Sequence, residues 1–293
     1  MIQNILSSIL IMILVAGVGA AQGLSVKWEE LTAPDFIKGI QEAKGTCLLP
    51  MSAIEKHGPH APMGTDMFVS RYIAINAAKQ EYAIVFPEYY AGEMSEAKHQ
   101  PGSIAYSGRL LFELLGETIS EMARNGCKKI IILPGHGGNT GLVNYFMQTQ
   151  LDSPKDYVVY LPGGRNSRPA AVKQASTSTT DGHAGEGETS DVMVAASGLV
   201  KLDQASSESG ADQNRLKLPA GLSTSIWWYA SFPNHYQGNG SGASSARGEK
   251  DLKPRVDNLA NLIRWVKADQ ITPKLQKQYL EETQHPIDTR QKQ

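Results

Sequence analysis

Ile130-Ile131-Ile132-Leu133-Pro134-Gly135-His136-Gly137-Gly138-Asn139 is the stretch on which the fold turns. Four consecutive apolar residues, three of them β-branched, predict a strand buried on both faces. Glycines follow at once, so the backbone leaving the strand can approach a ligand closely. Upstream, Leu111, Leu114, Leu115, Ile119 and Met122 keep helical spacing, and Gly126 stands where a C-cap glycine belongs. Further strands are predicted at Thr46 to Met51, Tyr82 to Phe86 and Tyr157 to Leu161. Helices are predicted at Asp66 to Lys79 and Val256 to Val266. Strands alternating with helices imply βαβ units, a mostly parallel central sheet and helices on both of its faces. Two stretches, Glu88 to Gly108 and Ser197 to Lys250, are irregular and long enough to suggest function rather than mere connection. The second carries the aromatic cluster Trp227, Trp228, Tyr229, Phe232 and Tyr236, read as a packed loop or subunit contact or else as a pocket wall.

Composition removes several function classes. Lys+Arg number 28 and Asp+Glu 29, a net charge of -1, which leaves no basic excess for nucleic acid. An apolar share of 41% excludes a disordered chain. The one strong asymmetry is the start: residues 5–21 carry no charge and end in Gly17-Val18-Gly19-Ala20-Ala21. This is expected to be a secretory signal peptide, cleaved after Ala20 or Ala21, although no Lys or Arg precedes it. The alternative is a membrane anchor over 5–21. With the leader removed, no stable membrane span is expected, and the protein is exported. Residues 22–271 then form one catalytic domain, and 272–293 a polar C-terminal tail that frays. Export permits a bond between the only cysteines, Cys47 and Cys127; two buried thiols are the alternative.

Four clusters carry chemistry. Glu55-Lys56-His57 places a carboxylate and an imidazole two residues apart, on one side of an extended segment, and Asp66 follows at a helix start. Taken alone, Asp66 reads as a helix cap. His136 sits in the glycine turn after the predicted strand. His183-Ala184-Gly185-Glu186-Gly187-Glu188 adds a histidine and two carboxylates, and His99 stands in the first irregular loop. Imidazoles with several carboxylates suit Zn²⁺, Mn²⁺ or Fe²⁺, and a bridging carboxylate would hold two ions. Each cluster alone is a common accident; their coincidence near strand ends is what points to a site.

The run Leu49 to Asp66 closely resembles the signature of the creatininase (creatinine amidohydrolase) family. Gly135-His136-Gly137-Gly138-Asn139 is similar to its second motif and His183 to Ser190 to its third, in the same order. The resemblance covers Trp28 to Lys267. It implies a three-layer α/β/α sandwich, assembled as a homo-oligomer, often a hexamer, that hydrolyses non-peptide C–N bonds of small cyclic or linear amides. It implies two divalent metal ions. Glu55, Asp66 and His136 would hold one; His57, the bridging Asp66 and a further carboxylate would hold the other. His183 would transfer protons. In creatinine-hydrolysing members that further carboxylate lies two positions after the second histidine, where this chain has Gly138, so Glu188 is expected to replace it, with Glu186 second. A tryptophan that closes over creatinine in those members corresponds to Thr179 here, and Gln100-Pro101-Gly102 replaces their Phe-Pro-Gly. A small amide other than creatinine is therefore the expected partner. Gly137, Gly138 and His99 are the candidates for binding substrate and steadying an oxyanion.

Two other classes compete. A serine hydrolase is disfavoured because no G-x-S-x-G elbow occurs. A secreted non-catalytic binding protein that keeps the fold is the remaining alternative, and metal content with amide turnover separates it from an enzyme.

Overall fold

A computed structural model describes residues 23–163 and 181–288. The leader 5–21 and Thr179 lie outside the described residues. Helix α1 (Ala33–Glu42) precedes strand β1 (Thr46–Met51), followed by α2 (Thr65–Gln80), β2 (Ile84–Val85), α3 (Gly108–Arg124), β3 (Lys129–Pro134), α4 (Asn139–Thr149) and β4 (Val158–Tyr160). Helices α5 (Glu186–Ala195), α6 (Trp227–Ser231), α7 (Ser245–Ala268) and α8 (Ile271–Glu282) complete the order. The strands pair in parallel in the order β2-β1-β3-β4, so the quoted stretch supplies one of the two central strands.

Period-two alternation along β1 and β3 divides the interior into two cores. Cys47, Leu49, Met51, Ile130 and Ile132 face α3 and α4 through Leu111, Leu115, Ile119, Val143 and Phe146. Leu48 and Ile131 face the other way, onto Val69 and Ile73 of α2, Val192 of α5 and Leu259 and Ile263 of α7. Each of these fully buried aliphatic side chains contributes about 1.5–3 kcal/mol. Helices on both faces of a parallel sheet make the expected α/β/α sandwich. Gly126 follows the α3 C-cap in the left-handed region, φ +101°, and donates its N–H to the Ala123 carbonyl. The chain then turns directly into Cys127, which is bonded to Cys47 across the β1–β3 pair with their Cα atoms 5.7 Å apart.

Several boundaries differ from expectation. Only Ile84 and Val85 of the 82–86 run join the sheet. The last long helix begins at Ser245 rather than 256, because Ser244 caps it, its Oγ accepting the Arg247 N–H, and the helix tolerates Pro254 inside it. The segment from 272, expected to fray, forms most of α8. Leu280 is buried there, and the Gln276 side-chain amide donates to the Tyr157 carbonyl at 2.7 Å. Among the described residues no helix is long and apolar enough to cross a membrane.

Candidate metal centre

β1 and β3 end at the same edge of the sheet, tied by the Gly135 N–H donating to the Met51 carbonyl at 2.7 Å. Carboxyl ends of strands are where open α/β sheets bind ligands. The chain leaving β1 delivers Glu55 and His57, the chain leaving β3 delivers His136, and the first turn of α2 delivers Asp66. All four are buried. Asn139 fixes the two exits together. Its side-chain oxygen accepts from the Glu93 N–H at 2.8 Å, and its amide donates to the Met51 and Ser52 carbonyls.

Asp66 does not cap its helix. Its Oδ2 lies 2.9 Å from His136 Nδ1, and its Oδ1 lies 3.4 Å from His57 Nε2. One carboxylate thus offers one oxygen to each of two imidazoles. Glu55 Oε1 meets the same His136 nitrogen at 2.6 Å, and Glu188 Oε2 meets His57 Nε2 at 3.8 Å. Asp66 thus stands between His57 and His136, and the sets whose ligand atoms lie within 4.8 Å of one another include Glu55, His57 and Asp66, and His57, His183 and Glu188.

The chemistry of these donors calls for cations. His57 Nδ1 donates to the Glu55 carbonyl at 3.2 Å, so a neutral ring would turn its Nε2 lone pair toward carboxylate oxygens. That nitrogen is buried without a hydrogen bond among the described residues, and Glu55 Oε1 has only the His136 nitrogen that Asp66 also approaches, a costly arrangement unless a cation joins them. In the metal-free protein protons fill this role. Burial disfavours a charged His57, but Asp66, Glu55 and Glu188 outweigh it and raise the ring to about 10. His136 is likewise raised to about 11 against its burial, by Asp66 and Glu55. Burial alone would raise Glu55; His136, His235, His183 and His57 instead hold it well below the usual carboxylate range. The donor set fits divalent ions.

The two glutamates of the third motif stand in different surroundings. Arg247 pairs with Glu186, Asp181 and Asp251, which turns Glu186 away. Glu188, in the first turn of α5, accepts the Ala184 N–H at 2.7 Å and faces His57 and His183. Its side chain keeps 44% of its surface accessible, yet the protein packed around it pushes its carboxyl up to about 7, with Asp66 and Glu55 adding to the shift. At Gly138 a Cβ would lie 2.4 Å from His136 Nε2 and 2.6 Å from the Glu93 carbonyl oxygen. A glutamate there is closed off.

His183 donates Nε2–H to the Lys56 carbonyl at 2.8 Å, leaving Nδ1 facing Glu188 Oε2 at 3.8 Å. Burial and the neighbouring His57 charge push it down to about 3. His60 links the first and third motifs, its Nε2 standing 2.8 Å from Thr189 Oγ1. His99, expected at the substrate, is exposed; it donates to the Pro233 carbonyl at 2.7 Å and packs edge-on against Tyr229. It ties the first irregular loop to the second. Gly137 and Gly138 stand immediately before α4, whose first residue is Asn139.

Sequence reasoning missed His235. It is 1% exposed, 2.6 Å from Glu55 Oε2 and 180 residues away from it. The signal available was an imidazole inside the aromatic cluster 227–236. Trp228, from that cluster, stands 5.9 Å from the His183 ring, so part of the cluster walls the site. A cavity of about 660 Å³ is lined by Glu96, His99, Ile226 and Tyr229, next to Trp228 in sequence. The larger cavity, about 1050 Å³, lies at the opposite strand ends against α8 and is remote from these ligands.

Creatinine amidohydrolase of Pseudomonas putida is 28% identical over 116 residues, 38% of this chain and 45% of that protein. The mycofactocin precursor peptide peptidase of Mycolicibacterium smegmatis is 31% identical over 98 residues, 31% of this chain and 39% of that protein. The matched stretch thus spans less than half the length of each of these relatives. A manganese form of creatininase superposes with a TM-score of 0.68 at 22% identity, covering 84% of this chain and 100% of that one. The creatininase family model, described as creatinine amidohydrolase, matches residues 29–263. With that match spanning most of its length, the chain belongs to the creatininase family.

Proposed function

We propose that this protein is a metal-dependent amidohydrolase that cleaves a non-peptide C–N bond in a small cyclic or linear amide. Glu55, Asp66 and His136 would hold one divalent ion, and His57, Asp66 and Glu188 a second. The observation that carries this reading is the division of Asp66, one oxygen toward His136 and the other toward His57. Divalent ions bound there, zinc, manganese or iron, supply an activated water at neutral pH and a Lewis acid for the amide carbonyl.

The chain's own residues do the rest. Asp66, Glu55 and His57 are held rigidly by burial, so the reacting groups meet in fixed geometry. His183 accepts a proton at Nδ1 and then delivers it to the departing nitrogen, base first and acid second. Its low pKa favours that order. Trp228, against the His183 ring, would limit water there, and the Gly137 and Gly138 N–H groups at the head of α4 would be candidates to steady an oxyanion. A relative named for creatinine and another named for a peptide leave the leaving group open. Metal-loaded protein assayed for amine or ammonia release from lactams, hydantoin-like rings and small formamides tests the proposal. Turnover abolished by a chelator and restored by metal is expected. Tight metal binding with no turnover of any member would favour a non-catalytic binding protein instead.

The apolar leader 5–21 and the Cys47–Cys127 bond support export, since disulfides persist in oxidising compartments. N-terminal sequencing of the secreted protein would contradict cleavage by finding Met1. Exposed Leu110, Leu114 and Tyr145 on α3 and α4 support a homo-oligomer, which light scattering would measure.

A further inference from the structure

We propose that His235, locked in one tautomer by Trp228, is a positioning residue that occupies one oxygen of Glu55 and leaves only the other for metal. The proposal rests on the metal-dependent reading above. Glu55, His183 and His235 bring their ligand atoms within 4.8 Å of one another, so His235 has at first sight the position of a further metal ligand. The indole decides otherwise. Trp228 Nε1–H donates to His235 Nδ1 at 2.8 Å, and an indole nitrogen can only donate. His235 Nδ1 must therefore carry the lone pair, and in a neutral ring the proton is on Nε2. That Nε2 is 2.6 Å from Glu55 Oε2, so it donates there and has no lone pair for a metal.

The consequence for Glu55 is specific. Oε2 is taken by His235, and Oε1 faces His136 Nδ1 at 2.6 Å. Glu55 is a one-oxygen ligand whose rotation is fixed from behind. The clamp is itself anchored. The Pro233 carbonyl, two residues before His235, accepts from His99 at 2.7 Å and from the Gln100 side-chain amide at 2.8 Å. Trp228 packs on Phe232 at 4.9 Å and borders the His183 ring. The aromatic segment is thus joined to the candidate ligands by the His235–Glu55 hydrogen bond, and the first irregular loop braces it.

Long-range ¹H–¹⁵N correlation of the histidine rings tests this without any variant. In the metal-free protein the His235 proton should be on Nε2, with Nδ1 accepting from Trp228, and loading with Zn²⁺ should leave that assignment unchanged. A His235 Nε2 that moves into the metal-bound range, or a proton found on Nδ1, would overturn the proposal. Three variants sharpen it. In Trp228→Phe the single tautomer should give way to a mixture. By chelator competition His235→Ala should lose about 10–100-fold in Zn²⁺ affinity, the scale of losing a partner behind a ligand. His235→Gln, which keeps a donor toward Glu55, should recover most of that loss. Wild-type affinity in His235→Ala, or no recovery in a folded His235→Gln, would contradict the assigned role. If the wild type bound no divalent ion the metal reading would fail, and the ring assignment would still decide the hydrogen bond.

Discussion

At the start of β3, Lys129 is buried and its ammonium donates to the carbonyls of Val266, Lys267 and Asp269, at 2.8, 3.0 and 2.6 Å. At the far ends of β1 and β3, Glu55, His57 and His136 are buried as deeply, but His57 Nε2 has no hydrogen bond among the described residues and Glu55 Oε1 shares one imidazole nitrogen with Asp66. The first charge completes the C-terminus of α7, where carbonyls need donors and a cation is favoured. The second group sets carboxylates against imidazoles alone, an arrangement that fits a bound cation. Burial depth therefore does not separate a structural charge from a functional one; satisfaction does. The Cys47–Cys127 bond lies with Lys129 at the structural end, so covalent and polar fastening are concentrated away from the ligands.

Variants at the two ends should fail in opposite ways. Asp66→Asn removes the bridging charge. It should lower turnover by about a thousandfold, a few kcal/mol of transition-state stabilisation, and abolish tight metal binding while folding is retained. Steady-state kinetics with thermal unfolding checks this; a large fall in Tm with kcat unchanged would invert the comparison. Replacing both Cys47 and Cys127 by Ala should cost about 2–4 kcal/mol, since the bond closes a long loop, and leave kcat unchanged in the folded protein. Lys129→Met, which strips the α7 carbonyls of their donor, should cost about 2 kcal/mol. For a chain of this size that is a fall in Tm of about 4–8 °C, again without effect on kcat.

The pH response should separate the ends as well. His57 and His136 have folded values raised to about 10 and 11. A raised histidine contributes stability that is complete below its unfolded value of about 6.5 and is lost as pH rises through the folded value. Metal-free protein should therefore become less stable between pH 7 and 11. The metal-loaded protein should keep its Tm over the lower part of that range, because the ions replace the protons. Thermal unfolding across pH, with and without chelator, measures the difference.

The groups of the candidate site were visible in the sequence because local motifs carry them. Glu55-Lys56-His57, Asp66, His136 and the 183–188 run stand next to strand ends or helix starts, and the parallel sheet brings those ends together. β1 and β3 were legible from continuous apolar runs. What escaped depends on distant packing. His235 reaches Glu55 across 180 residues through an irregular loop with no period to read. The choice of Glu188 over Glu186 was ranked in the sequence, but its physical reason, Arg247, lies on another helix. The early turns of α7 are polar and contain Pro254, a residue that normally ends a helix, so the sequence pattern begins only at Val256. α8 has few apolar residues, and it is held instead by Leu280 and by Gln276 reaching Tyr157.

The central claim is that the oxygens of Asp66 hold two divalent ions side by side. Metal content per chain, measured by mass spectrometry on protein stripped with chelator and reloaded with Zn²⁺ or Mn²⁺, tests it most directly. The account predicts two tightly held ions in the wild type and their loss in Asp66→Asn. No tightly held ion in the wild type, or the same content in both proteins, would contradict it.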